Sequence, residues 1–299
     1  MDICVEILVI TYNQQDYISE CIVSILNQSY VNIRVKVFDD FSTDSTLSKL
    51  SSINDNRLKV YPATKNLGIT GNCNRALNNL KTDLFVLVGG DDVFYPTKVE
   101  LQVNYFKKNP NHIICGHKLN YIDSNSIITG EMKTYAFDGV GAKSWINKGM
   151  IFGAFAMMYN FKDVSKDIIF DERVKYASDW KLIVDLLGEK GRYGAIDIAL
   201  GGYRRHANNI TVIKQLECKK DWLLSLEILK SEGKITEADF KKGKASYYTF
   251  FWFKHLLRQN KFKEALKVYL SYIKIFPFSL RGIYGLFLFV LQLVKKNKK

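Results

Sequence analysis

Four apolar stretches, Val5 to Ile10, Ile33 to Val37, Leu58 to Tyr61 and Leu84 to Val88, lie before residue 90, and a segment of helical periodicity separates each from the next. In the first of these segments Ile18, Cys21, Ile22, Ile25 and Leu26 recur at i, i+3, i+4, i+7 and i+8 and form one apolar stripe. The second is short and carries Leu47 and Leu50; the third runs from Cys73 to Leu80. Alternation of this kind predicts βαβ units with right-handed crossovers, and hence an α/β fold: a mostly parallel central sheet with helices on both faces. The stretch from Leu84 is apolar without interruption, as a strand buried on both faces requires, and it stops at Gly89-Gly90-Asp91-Asp92. Ligands of open α/β sheets bind beyond the carboxyl ends of the strands, and paired carboxylates there predict a divalent cation. The plain alternative is an exposed Asp-Asp turn. The pattern does not call for a dinucleotide site, because the first turn, Thr11 to Asp16, contains no Gly-x-Gly-x-x-Gly.

Further along, Pro96 to Lys107 reads as a helix with Val99, Leu101, Val103 and Phe106 as its apolar positions, followed by a short strand at His112 to Cys115. Residues 119–140 read as irregular hairpin material and Gly153 to Tyr159 as a strand. A helix with Leu182, Ile183, Leu186 and Leu187 on one side begins near Ser178, which is placed as its N-cap with Asp179 in the first turn. Tyr193 to Tyr203 forms the last strand, and after Asn209 the pattern is helical, over Leu216 to Lys230, Glu237 to Leu257 and Lys261 to Ile275. The expected division is an α/β domain over 1–212 and an all-helical extension over 213–299.

The net charge of +13 is concentrated in that extension: from Leu256 to Lys299 there are ten Lys or Arg against one acid, Glu264, a net +9. Phe, Leu, Ile and Tyr are interleaved with these cations, the pattern of a membrane-surface element, with nucleic acid as the competing anionic partner. Gly282 to Val294 is almost wholly apolar and ends in Lys295-Lys296-Asn297-Lys298-Lys299. It is too short to span a bilayer, so it is read as an interfacial anchor or as a helix packed on the protein. The opening residues carry no basic, apolar leader, which predicts a cytoplasmic protein, peripheral on the inner face of the membrane. Five widely spaced cysteines without a Cys-x-x-Cys pair argue against disulfides and a zinc site.

Six segments bring the chemistry into focus: Val9-Ile10-Thr11-Tyr12-Asn13, Asp39-Asp40-x-Ser42-x-Asp44, Asn66-x-Gly68, Gly90-Asp91-Asp92, Ser178-Asp179-Trp180 and Tyr203-Arg204-x-His206. In this order and spacing they resemble the successive motifs of family 2 glycosyltransferases with the Rossmann-like GT-A fold, over roughly residues 3 to 210. The resemblance implies an inverting transferase that moves a sugar from a nucleotide-sugar donor, a UDP-hexose, to a lipid-linked, polyprenyl-diphosphate saccharide acceptor in O-antigen or capsule synthesis. It implies a divalent metal, Mn²⁺ or Mg²⁺, held by Asp92 and His206, with Asp91 beside it. Thr11, Tyr12, Asn13, Asp40, Asn66, Gly68, Asp91 and Arg204 would bind the donor, Tyr12 stacking on the base, Asp40 accepting from the uracil edge or ribose and Asp91 leaning toward the ribose or the metal's water shell. Asp179 would be the base that takes the proton of the acceptor hydroxyl. Two departures stand out: Gly90 occupies part of the family's Asp-x-Asp, and Ser178 replaces its usual Glu. The competing functions are a nucleotidyltransferase, which lacks its glycine-rich basic loop here, and a non-catalytic binding protein using the basic tail.

Overall fold

The computed structural model of the protein describes residues 3–132, 138–164, 167–247, 252–277 and 280–297. Its first part follows the alternation: β1 (Val5–Thr11), α1 (Ile18–Leu26), β2 (Ile33–Asp39), α2 (Thr46–Ser51), β3 (Leu58–Pro62), α3 (Gly68–Leu77) and β4 (Leu84–Gly89). β1 pairs in parallel with both β2 and β4, and β2 with β3, giving the order β3-β2-β1-β4. The chain therefore steps one way from β1 and the other way to reach β4. Right-handed crossovers of opposite sense put α1 and α2 on one face and α3 on the other. The reversal also opens a crevice beyond the carboxyl ends of β1 and β4, the switch point where such sheets hold ligands.

Past this point come β5 (Val93–Phe94), α4 (Lys98–Lys108), β6 (His112–Ile122), β7 (Ile128–Met132), β8 (Asp138–Val140), α5 (Lys143–Lys148), β9 (Met158–Asn160), α6 (Ser178–Leu187) and β10 (Arg192–Arg204). The sheet becomes mixed here, because β9 lies antiparallel between β4 and β6, while β10 runs parallel to β6 and antiparallel to β5. The expected hairpin at 119–140 is β6 with β7 and then β8 on β10; residues 133–137 lie outside the described residues.

Several boundaries differ from expectation, and in each case a polar side chain makes a contact that local spacing does not announce. α3 starts at Gly68 rather than Cys73, since the Asp40 carboxylate accepts from the N–H groups of Leu67 (2.7 Å) and Gly68 (2.9 Å) and so caps the helix from a distance. Gly153 to Tyr159 is not one strand: Ala154–Ala156 is a 3₁₀ turn before β9. Carbonyls of this run accept from α4, Phe155 from Lys98 Nζ (3.2 Å) and Ala156 from Gln102 Nε2 (3.0 Å), in place of a strand neighbour. Lys98 and Gln102 are themselves fully buried, which is why α4 shows only loose apolar periodicity. β6 outlasts its apolar start because buried His117 continues it, its Nε2 meeting Lys98 Nζ at 2.8 Å. Ser178 is the first residue of α6 instead of its cap, with its hydroxyl 3.0 Å from that of Thr70 on α3.

The rest is helical: α7 (Ile210–Ile213), α8 (Gln215–Ser231), α9 (Glu237–Tyr247), α10 (Phe253–Arg258), α11 (Phe262–Ile275) and α12 (Leu280–Asn297). Residues 248–251, inside the expected Glu237 to Leu257 helix, lie outside the described residues, as do Lys298 and Lys299 of the closing lysine run. The hydrophobic core does not divide at 212. Trp222, Leu226, Leu229, Ile235 and Tyr247 belong to the same buried cluster as the sheet, whereas Phe253, Leu256, Leu257 and Ala265 form a second one, against which Leu288 and Phe289 of α12 pack.

Candidate active site

The switch point is built from three loops. Thr11 ends β1, buried, with its hydroxyl on Gln14 Oε1 (2.9 Å) and its carbonyl accepting from the Asp40 N–H (2.9 Å). Tyr12 follows, half exposed and free to stack. Asn13 adopts a left-handed φ of 51° and braces the loop after β2, its N–H donating to Ser42 Oγ (2.9 Å) and its Oδ1 accepting from Thr43 N–H (2.8 Å). Across the crevice Asn66 Nδ2 donates to the Asp40 carbonyl (3.0 Å), and Gly68, at φ 74°, opens α3. Thr11, Asn13, Asp40, Asn66 and Gly68 thus form one connected rim.

Within that rim the expected base-facing carboxylate is otherwise engaged. Both oxygens of Asp40 cap α3, and burial lifts its pKa above the ordinary carboxylate range against the pull of those two N–H groups. The carboxylate with an unpartnered oxygen is Asp39: it is fully buried, Oδ2 accepts from Ser42 N–H (2.9 Å), and Oδ1 has no hydrogen-bond partner. The alternation of β2 carries the signal, since Asp39 lies two and four residues beyond buried Val37 and Val35 and shares their face.

The acidic tip of β4 is tied to the end of β10. Asp91 turns toward His206, Oδ2 to Nε2 at 3.0 Å, with Asn209 Nδ2 at 3.4 Å from the same oxygen. Asp92 turns inward and is buried, its Oδ1 accepting from the Arg204 N–H at 3.0 Å. Burial, then the charge of Asp91, push its carboxyl well above the usual range. His206 therefore contacts Asp91, the carboxylate expected at the donor, while Asp92, expected with His206 as a metal ligand, points inward. The His206 ring rests on Tyr17, centroids 4.8 Å apart, and its Nδ1 is buried without a partner.

Arg204, expected to contact the donor, has its guanidinium wholly enclosed. Nε donates to the Asp91 carbonyl (2.8 Å), Nη1 to the Asp123 carbonyl (2.9 Å) and Ser126 Oγ (3.0 Å), and Nη2 to Glu20 Oε2 (2.5 Å), while the ring of Tyr17 lies 4.8 Å away. With every nitrogen engaged it is a tie, and the exposed cation next to it is Arg205. Tyr17, Glu20 and Asn209 complete the cluster without any sequence motif announcing them; they are joined to it only by the fold.

Asp179 shares no hydrogen bond with either group. It stands in the first turn of α6, half-buried, its Oδ1 accepting from the Trp180 N–H at 2.8 Å. Burial pushes its pKa up to about 6, against the opposing effect of nearby backbone N–H groups. A carboxylate tuned this way is largely ionised near neutral pH yet basic enough to take a proton.

The sequence model of Glycosyl transferase family 2 matches residues 6–169. The chain is also 31% identical over 229 residues to an uncharacterized glycosyltransferase of Haemophilus influenzae, spanning 70% of this chain and 68% of that one. The chain belongs to glycosyl transferase family 2. Another relative of this family 2 enzyme is the UDP-Glc:alpha-D-GlcNAc-diphosphoundecaprenol beta-1,3-glucosyltransferase WfgD of Escherichia coli, 32% identical over 127 residues, 42% of this chain and 50% of WfgD. Solved structures share its fold. S. aureus TarS 1-349 in complex with UDP-GlcNAc matches with a TM-score of 0.66 at 18% identity, over 97% of this chain and 89% of that one. The mannosyltransferase PcManGT from Pyrobaculum calidifontis, in complex with GDP-Man and Mn²⁺, matches at 0.62 and 15%, over 97% and 86%.

The acidic tip of the transferase suits a divalent cation shared with a substrate. Among the described residues no three His, Cys, Asp or Glu form a metal cage by themselves. A hard cation held by one or two carboxylates completes its shell from substrate phosphate and water. Asp91 and His206, already in contact, fit that partial set, with Asp92 behind them. The position of Gly90 is crowded: a Cβ there would stand 2.6 Å from Gln14 Oε1, 2.7 Å from Ile18 Cδ1 and 3.0 Å from Thr11 Oγ1. A carboxylate at this position requires those side-chain ends to move aside. Replacing Gly90→Ala is expected to cost about 1–3 kcal/mol of stability and to weaken UDP binding, read by thermal unfolding and calorimetry; a variant as stable as the parent would show that the crevice has slack.

Proposed function

We propose that this family 2 enzyme is an inverting transferase that moves a hexose from a UDP donor to a hydroxyl of a lipid-linked saccharide. The observation that carries the reading is the isolation of Asp179, a single half-buried carboxylate held near pKa 6 and apart from the acidic tip. Single displacement needs one base on the acceptor side and charge stabilisation on the donor side, and these are separate stations here. The donor's uridine would lie along the rim, stacked on Tyr12, with the unpartnered oxygen of Asp39 accepting from the base edge or ribose. The diphosphate would face Asp91, His206 and exposed Arg205. Asp179 accepts the proton of the acceptor hydroxyl as its oxygen attacks the anomeric carbon, and UDP departs on the opposite face. A divalent cation, when bound at Asp91 and His206, supplies Lewis-acid stabilisation of the charge growing on the diphosphate.

The names of similar proteins support the substrate classes: WfgD acts on a diphosphoundecaprenol-linked sugar, and TarS has been captured with UDP-GlcNAc. Assembly of a bacterial surface polysaccharide is the pathway this acceptor class fits. UDP release from a panel of UDP-hexoses with Mn²⁺ tests the reading. Turnover is expected to vanish in EDTA, to fall at least ~100-fold in Asp179→Asn, and to drop on the acid side near pH 6, where Asp179 takes up a proton and ceases to be a base. Full activity of Asp179→Asn would remove it from the chemistry.

The lipid-linked acceptor calls for a membrane surface. Among the described residues no helix is long and apolar enough to cross a membrane. α12 instead packs Leu288 and Phe289 inward and leaves Ile283, Tyr284, Phe287, Val290 and Val294 outward and exposed, so the packed face accounts for one reading of the segment and the exposed face supports the other. α11 adds exposed Leu266 and Leu270. With ten cations from Leu256 onward, anionic lipid is the complementary surface. The full-length protein is expected to float with vesicles containing phosphatidylglycerol, and the double variant Phe287→Glu with Val290→Glu to bind roughly tenfold less or weaker still; equal binding by both would discredit the face.

A further inference from the structure

The segment that leads into α6 is held from both sides. From α3, Thr70 Oγ1 donates to the Val174 carbonyl (2.7 Å), stands 3.1 Å from the Lys175 carbonyl and meets the Ser178 hydroxyl at 3.0 Å. From the opposite side comes α8. Its Asp221 directs Oδ2 at two backbone amides, accepting from the N–H of Tyr176 at 2.6 Å and of Ala177 at 3.3 Å. Those are the last two residues before α6, and Asp179 is in its first turn. No side chain caps this helix, and Ala177 at the cap position has none to offer. A carboxylate accepting from backbone N–H groups forms charge-assisted bonds about twice as strong as neutral ones, and no salt bridge diverts Asp221 among the described residues. The next residue, Trp222, sets its ring edge-on against Trp180, centroids 5.4 Å apart, so α8 grips α6 immediately on either side of Asp179.

We infer that Asp221, on the first long helix beyond the sheet, is a positioning residue for the base: it fixes the entry of α6 and thereby the place and burial of Asp179. The inference rests on the reading of Asp179 as base. It makes the start of the helical extension part of the catalytic centre, consistent with α8 sharing the core of the sheet. Asp221 acts through backbone amides; the donor rim and the Asp91–His206 contact involve neither it nor its partners.

The test compares full-length parent, Asp221→Ala, Asp221→Asn and Asp179→Asn. In Asp221→Ala, amide hydrogen exchange over 174–182 is expected to accelerate, and UDP release from UDP-hexose with Mn²⁺ to slow by about ten- to a hundredfold in kcat, the scale of a misplaced catalytic group. UDP affinity stays within about twofold, since the donor rim is untouched. The acid limb of the rate moves below pH 6, because a loosened Asp179 gains water and its raised pKa relaxes. Asp221→Asn, which keeps a neutral acceptor oxygen, restores most of the rate and the parent's pH profile. If Asp221→Ala does not fold, Asp221→Asn carries the test, with exchange over 174–182 expected above the parent's because its bonds are neutral. Parent kcat, pH profile and exchange in Asp221→Ala, or parent exchange in Asp221→Asn where that variant decides, would overturn the inference. If Asp179→Asn keeps full turnover, the base assignment falls, whereas faster exchange in Asp221→Ala would still show that Asp221 holds the helix.

Discussion

The buried guanidinium of Arg204 is the tie on which the acidic tip depends. It closes β10 onto three separate parts of the chain: the carbonyl of Asp91 after β4, Glu20 on α1, and the Asp123 to Ser126 turn after β6. The backbone of the same residue serves the neighbouring positions, its N–H donating to Asp92 and its carbonyl accepting from Asn209 (3.1 Å). A buried cation without partners is costly, so each of these acceptors is needed by Arg204 as much as Arg204 is needed by them. The consequence is geometric. Two adjacent carboxylates on a short turn would repel and scatter; here the main chain of one and the side chain of the other are pinned by one residue, leaving only the Asp91 carboxylate turned to His206.

Three carboxylates then differ by environment alone. Asp92 is sealed off and shadowed by a like charge, so its anion is disfavoured unless a positive group arrives. Asp40 is also desolvated, but two backbone amides hold its anion in place and turn it into a helix cap. Asp179 has only the amides of its own turn and no charged partner, and burial leaves it at about 6. Pushing apart the ionisation of chemically identical groups is how one fold can separate a structural carboxylate from groups with the roles proposed above for the acidic tip and for Asp179.

The features legible in the sequence are those governed by short periods. Strands β1 to β4 and α1 followed from apolar spacing, and the position of the acidic pair followed from the end of an unbroken apolar run. What the spacing did not reveal was settled by side chains reaching across the fold. Lys98, Gln102 and His117 are polar residues in the core, so they erased the pattern of α4 and of the middle of β6. Asp40, 27 residues before Leu67, moved the start of α3. The role of Arg204 depends on Glu20, 184 residues away, a distance at which no local pattern exists. Asp39 and Asp40 are indistinguishable as letters and both end buried; the pleat at the end of β2 separates the one that shares the face of Val35 and Val37 from the one that turns to cap α3.

The same reasoning redraws the boundary of the extension. A division at 212 follows the change from strand to helix, but the packed core follows Trp222, Leu226 and Tyr247 into α8 and α9 before it breaks. The second core begins at Phe253 and includes the inner face of α12, whose outer face is apolar and uncovered. With Asp179 proposed as the base and a lipid-linked saccharide as the acceptor, a chain whose first helices beyond the sheet hold α6 and whose last helix exposes an apolar face would couple two requirements: a rigid base, and an acceptor presented from a surface. The two tasks would then fall to different cores: α6 is held by α3, α5 and α8, whereas the exposed apolar face of α12 belongs to the second core.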